Sequence, residues 1–407
     1  MKNILITLIL SVIALQILAQ KIDKDLWLQD LNAYKTGLEQ KHINLYNKIS
    51  EAEFNADLEL IRSSIESKTD FQVVMDLMRL TRKIGDGHTA ISLSNFETHN
   101  FPFEIQQFGN DWRIVKIAKP FAHLLGTQLI AIDETPISIA AQKVGEVAQF
   151  VENQHSKIIR TAQYFPISEI LFELSLINQK DKASFTFKND DSTVFTETIS
   201  VSDDDELEAL SISVPEIKKP EKTLNEGFWY APITGTDGLY IHFESYPAFE
   251  EMMQIAEEMV GYIFQNNIRE LVIDLRNNGG GDLYVGLVLA NALNLADPVD
   301  WQSGVYVLAD KVTFSAAASN TALFRELLNA KIVGEPTGSN PTGFQDMDTF
   351  ELPNSKLVVC YSKRFFRIQE EFSEGVQPDI PLQYEWESFS RGEDNMLQSV
   401  INNIHQK

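Results

Sequence analysis

Three short segments of this 407-residue chain bring together residue types capable of acyl-transfer chemistry. The first is Thr313-Phe314-Ser315-Ala316-Ala317, which follows the apolar run Val305-Tyr306-Val307-Leu308-Ala309 almost directly. A serine at a strand-to-helix junction faces the free N–H groups of the helix start, where developing negative charge is stabilised. Hydrolytic α/β enzymes put a nucleophile at such a junction. Serine is also among the best N-caps, so taken alone Ser315 reads as either nucleophile or cap. Ser319, one turn on, reads as a small packing residue. The second segment, Asn277-Asn278-Gly279-Gly280-Gly281, follows the continuous apolar run Leu271-Val272-Ile273-Asp274-Leu275. Three glycines let a backbone turn sharply and present bare N–H donors. Those donors suit an oxyanion hole or a plain turn. A nucleotide-phosphate loop is disfavoured, because no Lys-Ser/Thr follows and there is no G-x-G-x-x-G. The third segment, Gly85-Asp86-Gly87-His88-Thr89, sets a histidine on a glycine-flanked loop, where it could serve as a general base or be merely structural. His242 alternates along a strand and His405 lies in the C-terminal tail, so neither carries comparable support.

The elements around these segments must position them. Residues 22–83 read as helices, with Leu26, Leu28, Leu31, Tyr34 and Leu38 at roughly helical spacing. Ser50-Glu51-Ala52-Glu53 and Thr69-Asp70-Phe71-Gln72 both have capping-box form. From Thr89 to about Ser200 the pattern is one of short strands separated by turns, clearest at 112–117 and 129–132. An acidic, proline-containing stretch at 201–237 reads as a linker or long surface loop. Beyond residue 238, strands at 239–243, 271–275, 305–309 and 331–333 alternate with helices at 249–266, 283–295 and 315–329. Repeated strand-helix-strand units predict a mostly parallel α/β layer. The expected organisation is a leader at 1–19, a helical module at 20–88, a β-rich module at 89–200, the linker at 201–237 and an α/β core at 238–407.

Composition narrows the partners. The chain carries a formal net charge of -24, with a sequence pI of about 4.7. Nucleic acid is excluded as a partner on this balance, since phosphate binding depends on clustered Lys and Arg. Lys2 precedes an apolar run to Leu18, and Ala19 is small enough for signal-peptidase cleavage, so the protein is expected to be exported, to the periplasm or the extracellular space. The run is short for a membrane span and Gln16 interrupts it, so no stable membrane insertion is expected after cleavage. One cysteine, Cys360, excludes an internal disulfide and reads as a small buried hydrophobe in a strand. The seven histidines are scattered without metal-ligand spacing, and neither a metal nor a cofactor is expected. Nothing marks an oligomeric interface.

The segments around 271–281 and 313–317, with Gly334-Glu335-Pro336-Thr337-Gly338 and Gly375-Val376-Gln377-Pro378-Asp379-Ile380, resemble in order the core motifs of the tail-specific (C-terminal processing) and tricorn-like serine peptidases of the S41 type. The resemblance covers about 238–382, and Gly85 to Thr89 extends it to the N-terminal side. The stretch 101–137 is loosely similar to the family's PDZ-type substrate-binding module. What this implies is a crotonase/Clp-like α/β core, no cofactor, and cleavage of peptide bonds in peptides or unfolded proteins through an acyl-enzyme. Mapped by motif, Ser315 matches the nucleophile, and the N–H groups of Ala316 and Gly280 match the oxyanion hole. Many members activate the serine with a lysine. Counting through Thr337 puts Asn340 at that position, and Asn cannot take a proton. The tricorn-like branch uses a histidine, which His88 matches. There a polar residue before the histidine links it to a distant acid; here that residue is Gly87, and Glu371, Glu374 and Asp86 are the candidate acids. Two other readings remain: a peptide- or ligand-binding relative with weakened catalysis, and a small-molecule esterase or amidase.

Overall fold

The computed structural model describes residues 22–202, 207–370 and 372–406. The expected leader, the run Asp203-Asp204-Asp205-Glu206 and Glu371 lie outside these residues. The chain opens with helices α1 (Lys24–Lys41), α2 (Glu51–Ser64) and α3 (Asp70–Ile84). Ser50 caps α2 through Glu53 N–H, and Thr69 with Gln72 forms the full reciprocal capping box on α3. Helix α3 ends at Gly85, whose left-handed φ of 78° releases the chain into the loop carrying His88; only glycine adopts that conformation without strain.

After β1 (Ala90–Ser92) come β2 (Phe103–Phe108), β3 (Asp111–Ala118), β4 (Gln128–Ile132) and β5 (Thr135–Pro136). Three helices follow: α4 (Ile137–Val147), α5 (Gln154–Tyr164) and α6 (Ser168–Glu173). They correct the expectation of strands and turns alone between 89 and 200. The stripe Ala140, Val144 and Val147 buries one face of α4, and Asn153 caps α5 by accepting from His155 and Ser156 N–H. Strands β6 (Lys182–Lys188), β7 (Val194–Ser200) and β8 (Leu207–Ala209) complete a sheet of order β2-β3-β4-β6-β7, with β5 on β4 and β8 on β3, leaving β2 as an edge. One hydrophobic core runs from Trp27 and Tyr34 through Leu77 and Phe101 to Phe185, so the helices and this sheet are packed together.

The second half begins with β9 (Phe228–Pro232), β10 (Gly238–Phe243), α7 (Phe249–Asn266), β11 (Glu270–Asp274) and α8 (Leu283–Leu293). It continues through β12 (Val305–Ala309), α9 (Ala316–Leu328), β13 (Lys331–Gly334), β14 (Thr342–Glu351), β15 (Val358–Arg367), β16 (Ile380–Pro381), α10 (Trp386–Ser390) and α11 (Asn395–His405). The sheet order is β16-β13-β12-β11-β10-β9, parallel except for β9. Period-two alternation decides which face each residue serves. Leu271, Ile273, Val305 and Val307 face the core with α7, α8 and α9, whereas Val272, Tyr306, Leu308 and Val333 pack with Met396, Val400 and Ile401 of α11. The sheet is thus covered on both sides, as a parallel sheet requires. A separate sheet, β1-β15-β14, pairs Ala90 with Cys360 and so ties the segment just after His88 to the hairpin of β14 and β15.

Candidate active site

Because β11 and β12 are parallel neighbours with Asp274 beside Leu308, the loops leaving them emerge side by side. Phe314 N–H donates to the Asn278 carbonyl at 2.9 Å, and the Thr313 hydroxyl donates to the Leu275 carbonyl at 2.9 Å. Asp310 accepts the N–H groups of Val312 at 2.9 Å and Thr313 at 3.0 Å, and burial pushes its carboxyl up to about 6. These bonds force the chain into a sharp turn at Ser315, with φ 53° and ψ -124°. A non-glycine residue held there is strained, and strain of this kind collects at functional sites. Ser315 precedes α9, yet its side chain makes no capping bond, so the plain N-cap reading fails.

The Ser315 Oγ instead meets His88 Nε2 at 2.9 Å. Ser315 remains half-buried while His88 is 4% exposed, which leaves the hydroxyl reachable beside a desolvated imidazole. Burial depresses the imidazole and the Arg160 guanidinium adds to this, while Asp86, the Phe344 carbonyl and Asp346 oppose it; the net result lies below the ordinary histidine value. A neutral ring at neutral pH follows, able to accept a proton. The Phe314 ring lies 5.2 Å from the imidazole, and Arg160 lies 5.2 Å over the other partner of that contact, Phe314 itself.

The remaining motifs tie down Ser315. Ser315 N–H donates to Ser339 Oγ at 2.6 Å, and Gly338 N–H to the Thr313 carbonyl at 2.9 Å. Asn340, which stands at the position of the lysine in the other branch, is a buried acceptor: its Oδ1 takes Gly375 N–H at 2.8 Å and Asn153 Nδ2 at 3.1 Å. A Cβ at Gly375 would come within 2.3 Å of the Thr337 carbonyl, which is why glycine stands there. Gly280 lies against Ser315, since a Cβ on it would sit 2.7 Å from Ser315 Cβ. Its N–H, however, donates to Asn278 Oδ1 at 2.9 Å. That qualifies the mapping of Gly280 as an oxyanion donor: among the described residues its N–H is already engaged, whereas those of Ala316, Gly279 and Gly281 have no acceptor. Ala316 heads α9, where first-turn N–H groups have no partner within the helix.

Of the candidate acids, Asp86 lies under the histidine loop and accepts His88 N–H at 2.9 Å. Glu374 is exposed, and its charge acts on His155 rather than on His88. Residue 87 has no room for a side chain: a Cβ there would come within 2.7 Å of Phe314 Cζ and 2.8 Å of Glu152 Cβ. Glu152, not singled out by its sequence context, is half-buried, but its Oε2 is sealed from solvent and unpartnered. Burial and the Asp86 charge push its carboxyl up to about 8. His42 was equally invisible in the sequence, and it contacts Asp86 from a helix end remote in the chain. Ser319 is buried and bonds Gln345, as a packing residue would, and Cys360 is buried in β15. His242 stacks on Trp229, and His405 closes α11. A cavity of about 890 Å³ opens between the β2 edge, α5 and the loop at 310–312, just before Ser315. No group of ligating side chains among the described residues could hold a metal ion.

Residues 291–382, which include the strained serine and the parallel strands beside it, match the sequence model of peptidase family S41. The crystal structure of mature CPAF superposes with a TM-score of 0.67 at 15% identity, covering 94% of this chain and 97% of that one. The structure of mature CPAF complexed with lactacystin gives 0.62 at 13% over the same shares. At such identities the likeness is one of fold. The photosystem II D1 C-terminal processing protease covers equal shares at 13% identity with a TM-score of 0.42, too low to argue from. No curated protein matches in sequence. Residues 291–382 thus carry the sequence pattern of peptidase family S41, within a chain whose fold is similar to that of mature CPAF.

Proposed function

We propose that this peptidase cleaves peptide bonds by a Ser-His mechanism in which Ser315 is the nucleophile and His88 the base. The observation that carries the reading is the 2.9 Å contact between His88 Nε2 and Ser315 Oγ, within the reach a nucleophile and its base require. Ser315 Oγ attacks the substrate carbonyl carbon as its proton passes to His88 Nε2. The oxyanion is held by Ala316 N–H and a glycine N–H of the 279–281 loop. The imidazolium then protonates the leaving amine, the C–N bond breaks, and an acyl ester remains on Ser315. Water, deprotonated by His88, attacks the ester; the proton returns to Ser315 as the acid product leaves.

The substrate reaches the serine from the cavity bounded by β2 and α5, where an extended peptide could add to the β2 edge. That reading treats the β-rich module as PDZ-like. The chain is further proposed to be exported by cleavage after Ala19, which N-terminal sequencing of the mature protein checks. Ser315→Ala is expected to lower hydrolysis of an unfolded protein by several powers of ten. Hydrolysis at the parent rate would end the proposal and favour a binding role for the groove.

A further inference from the structure

Under the histidine loop lies a second His-Asp pair that the mechanism above does not use. His42, at the C-terminal end of α1, is 7% exposed, and its Nε2 lies 2.8 Å from Asp86 Oδ2. Asn44 N–H donates to His42 Nδ1 at 3.0 Å, so Nδ1 is an acceptor and the ring proton sits on Nε2, aimed at the carboxylate. The other oxygen, Asp86 Oδ1, accepts His88 N–H at 2.9 Å and the Ser362 hydroxyl at 2.8 Å. Burial works against the Asp86 charge, yet His42, Ser362 and Thr89 outweigh it and hold the carboxyl below its usual range. A carboxylate fixed by donors from α1, β15 and its own loop is therefore buried directly beneath the base.

We infer that Asp86 and His42 form a positioning pair, with Asp86 the anion that balances the His88 imidazolium during acyl transfer and His42 the donor that fixes it. The inference rests on the Ser315–His88 reading. When His88 takes the serine proton it becomes a buried cation in the field of the Arg160 guanidinium of α5, and a counter-charge is needed. Among the described residues the charged and titratable groups around it are few. Glu152, from the loop before α5, is uncharged at neutral pH because of its raised pKa. Asp346 on β14 is engaged by Arg364 at 3.2 Å and Lys363 at 3.6 Å. Asp86 acts on the ring more strongly than either the Phe344 carbonyl or Asp346. It does so without touching the ring, through its field and through the backbone of the residue it holds.

The test is steady-state peptide hydrolysis as a function of pH, with fluorophosphonate labelling and thermal melts on the same proteins. Asp86→Asn is expected to lower kcat about 10- to 100-fold, the scale of a small misplacement of a catalytic group, with little change in KM. The acid limb of kcat/KM should also move to lower pH, because the charged ring has lost its counter-ion. His42→Phe should behave likewise, whereas His42→Gln, which keeps an N–H donor, should restore most of the rate. A folded Asp86→Asn with the parent's kcat and pH profile overturns the inference. Should Asp86→Asn fail to fold, equal rates for the folded His42→Gln and His42→Phe proteins overturn it instead. A parent that neither hydrolyses peptide nor labels at Ser315 would sink the Ser-His reading itself, a different outcome from a labelled parent whose Asp86 variant is indifferent.

Discussion

Replacing Glu152 by Gln should make the protein more stable in alkali and leave it nearly unchanged, or slightly weaker, in mild acid. The carboxyl is raised from 4.5 to about 8 by burial and by the nearby Asp86 charge. For a carboxyl whose pKa is raised on folding, the folded state binds the extra proton between the two values, so stability is full below the unfolded value and falls as pH climbs towards the folded one. A rise of that size, at about 1.4 kcal/mol per unit, amounts to roughly 5 kcal/mol lost by pH 8 to 9. Natural domains have about 5–15 kcal/mol to lose, so the effect is large. Gln cannot ionise and escapes it. Its amide introduces a buried donor whose cost, about 1–3 kcal/mol if unpaired, is the same at every pH, which makes the pH-dependent part diagnostic. Urea unfolding of parent and variant at pH 5 and pH 9 measures it. The stability difference should shift by several kcal/mol in favour of the variant between the two conditions. A difference independent of pH would refute the placement of a neutral acid against the histidine loop.

Two other perturbations follow from packing and charge. Gly87→Ala forces a methyl within 2.7 Å of Phe314 and 2.8 Å of Glu152; overpacking of this kind costs about 1–3 kcal/mol. Since Phe314 precedes the proposed nucleophile Ser315 and His88 follows Gly87, kcat should fall at least tenfold alongside the melting temperature, and a parent-like kcat would show that these neighbours yield freely. Arg276→Leu strips the bidentate partner from both Asp274 and Asp394, which it bonds at 2.6–2.9 Å in a buried cluster, and should cost about 3–5 kcal/mol in urea unfolding; a loss below about 1 kcal/mol would contradict that role.

Much of the C-terminal half was legible because its signals are local. The continuous apolar strand at 271–275, the glycines after it and the strand-to-helix step at Ser315 each sit within a dozen residues, and the parallel layer follows from their alternation. His88 was readable from the glycines beside it. Its surroundings were not: His42 reaches Asp86 across 44 positions of sequence, and Glu152 lies on a loop with no chemical pattern of its own. Contacts made by tertiary folding leave no spacing to read. Helices α5 and α6 were hidden for another reason, since α6 spans only 6 residues and α5 buries only Ser156 and Thr161 outright, too little for a helical stripe to stand out. Helix α4 does carry such a stripe, at Ala140, Val144 and Val147, but strands on both sides masked it. Gly280 shows the limit of motif mapping, because only the fold reveals that Asn278 has taken its N–H.

The central claim is that His88 activates Ser315 for covalent chemistry, and its most direct test is to find the covalent bond. Treated with a fluorophosphonate and digested for mass spectrometry, the parent should carry a single phosphonyl adduct on Ser315, strongly reduced in His88→Ala and absent in Ser315→Ala. No adduct, an adduct on another serine, or undiminished labelling without His88 would contradict the account.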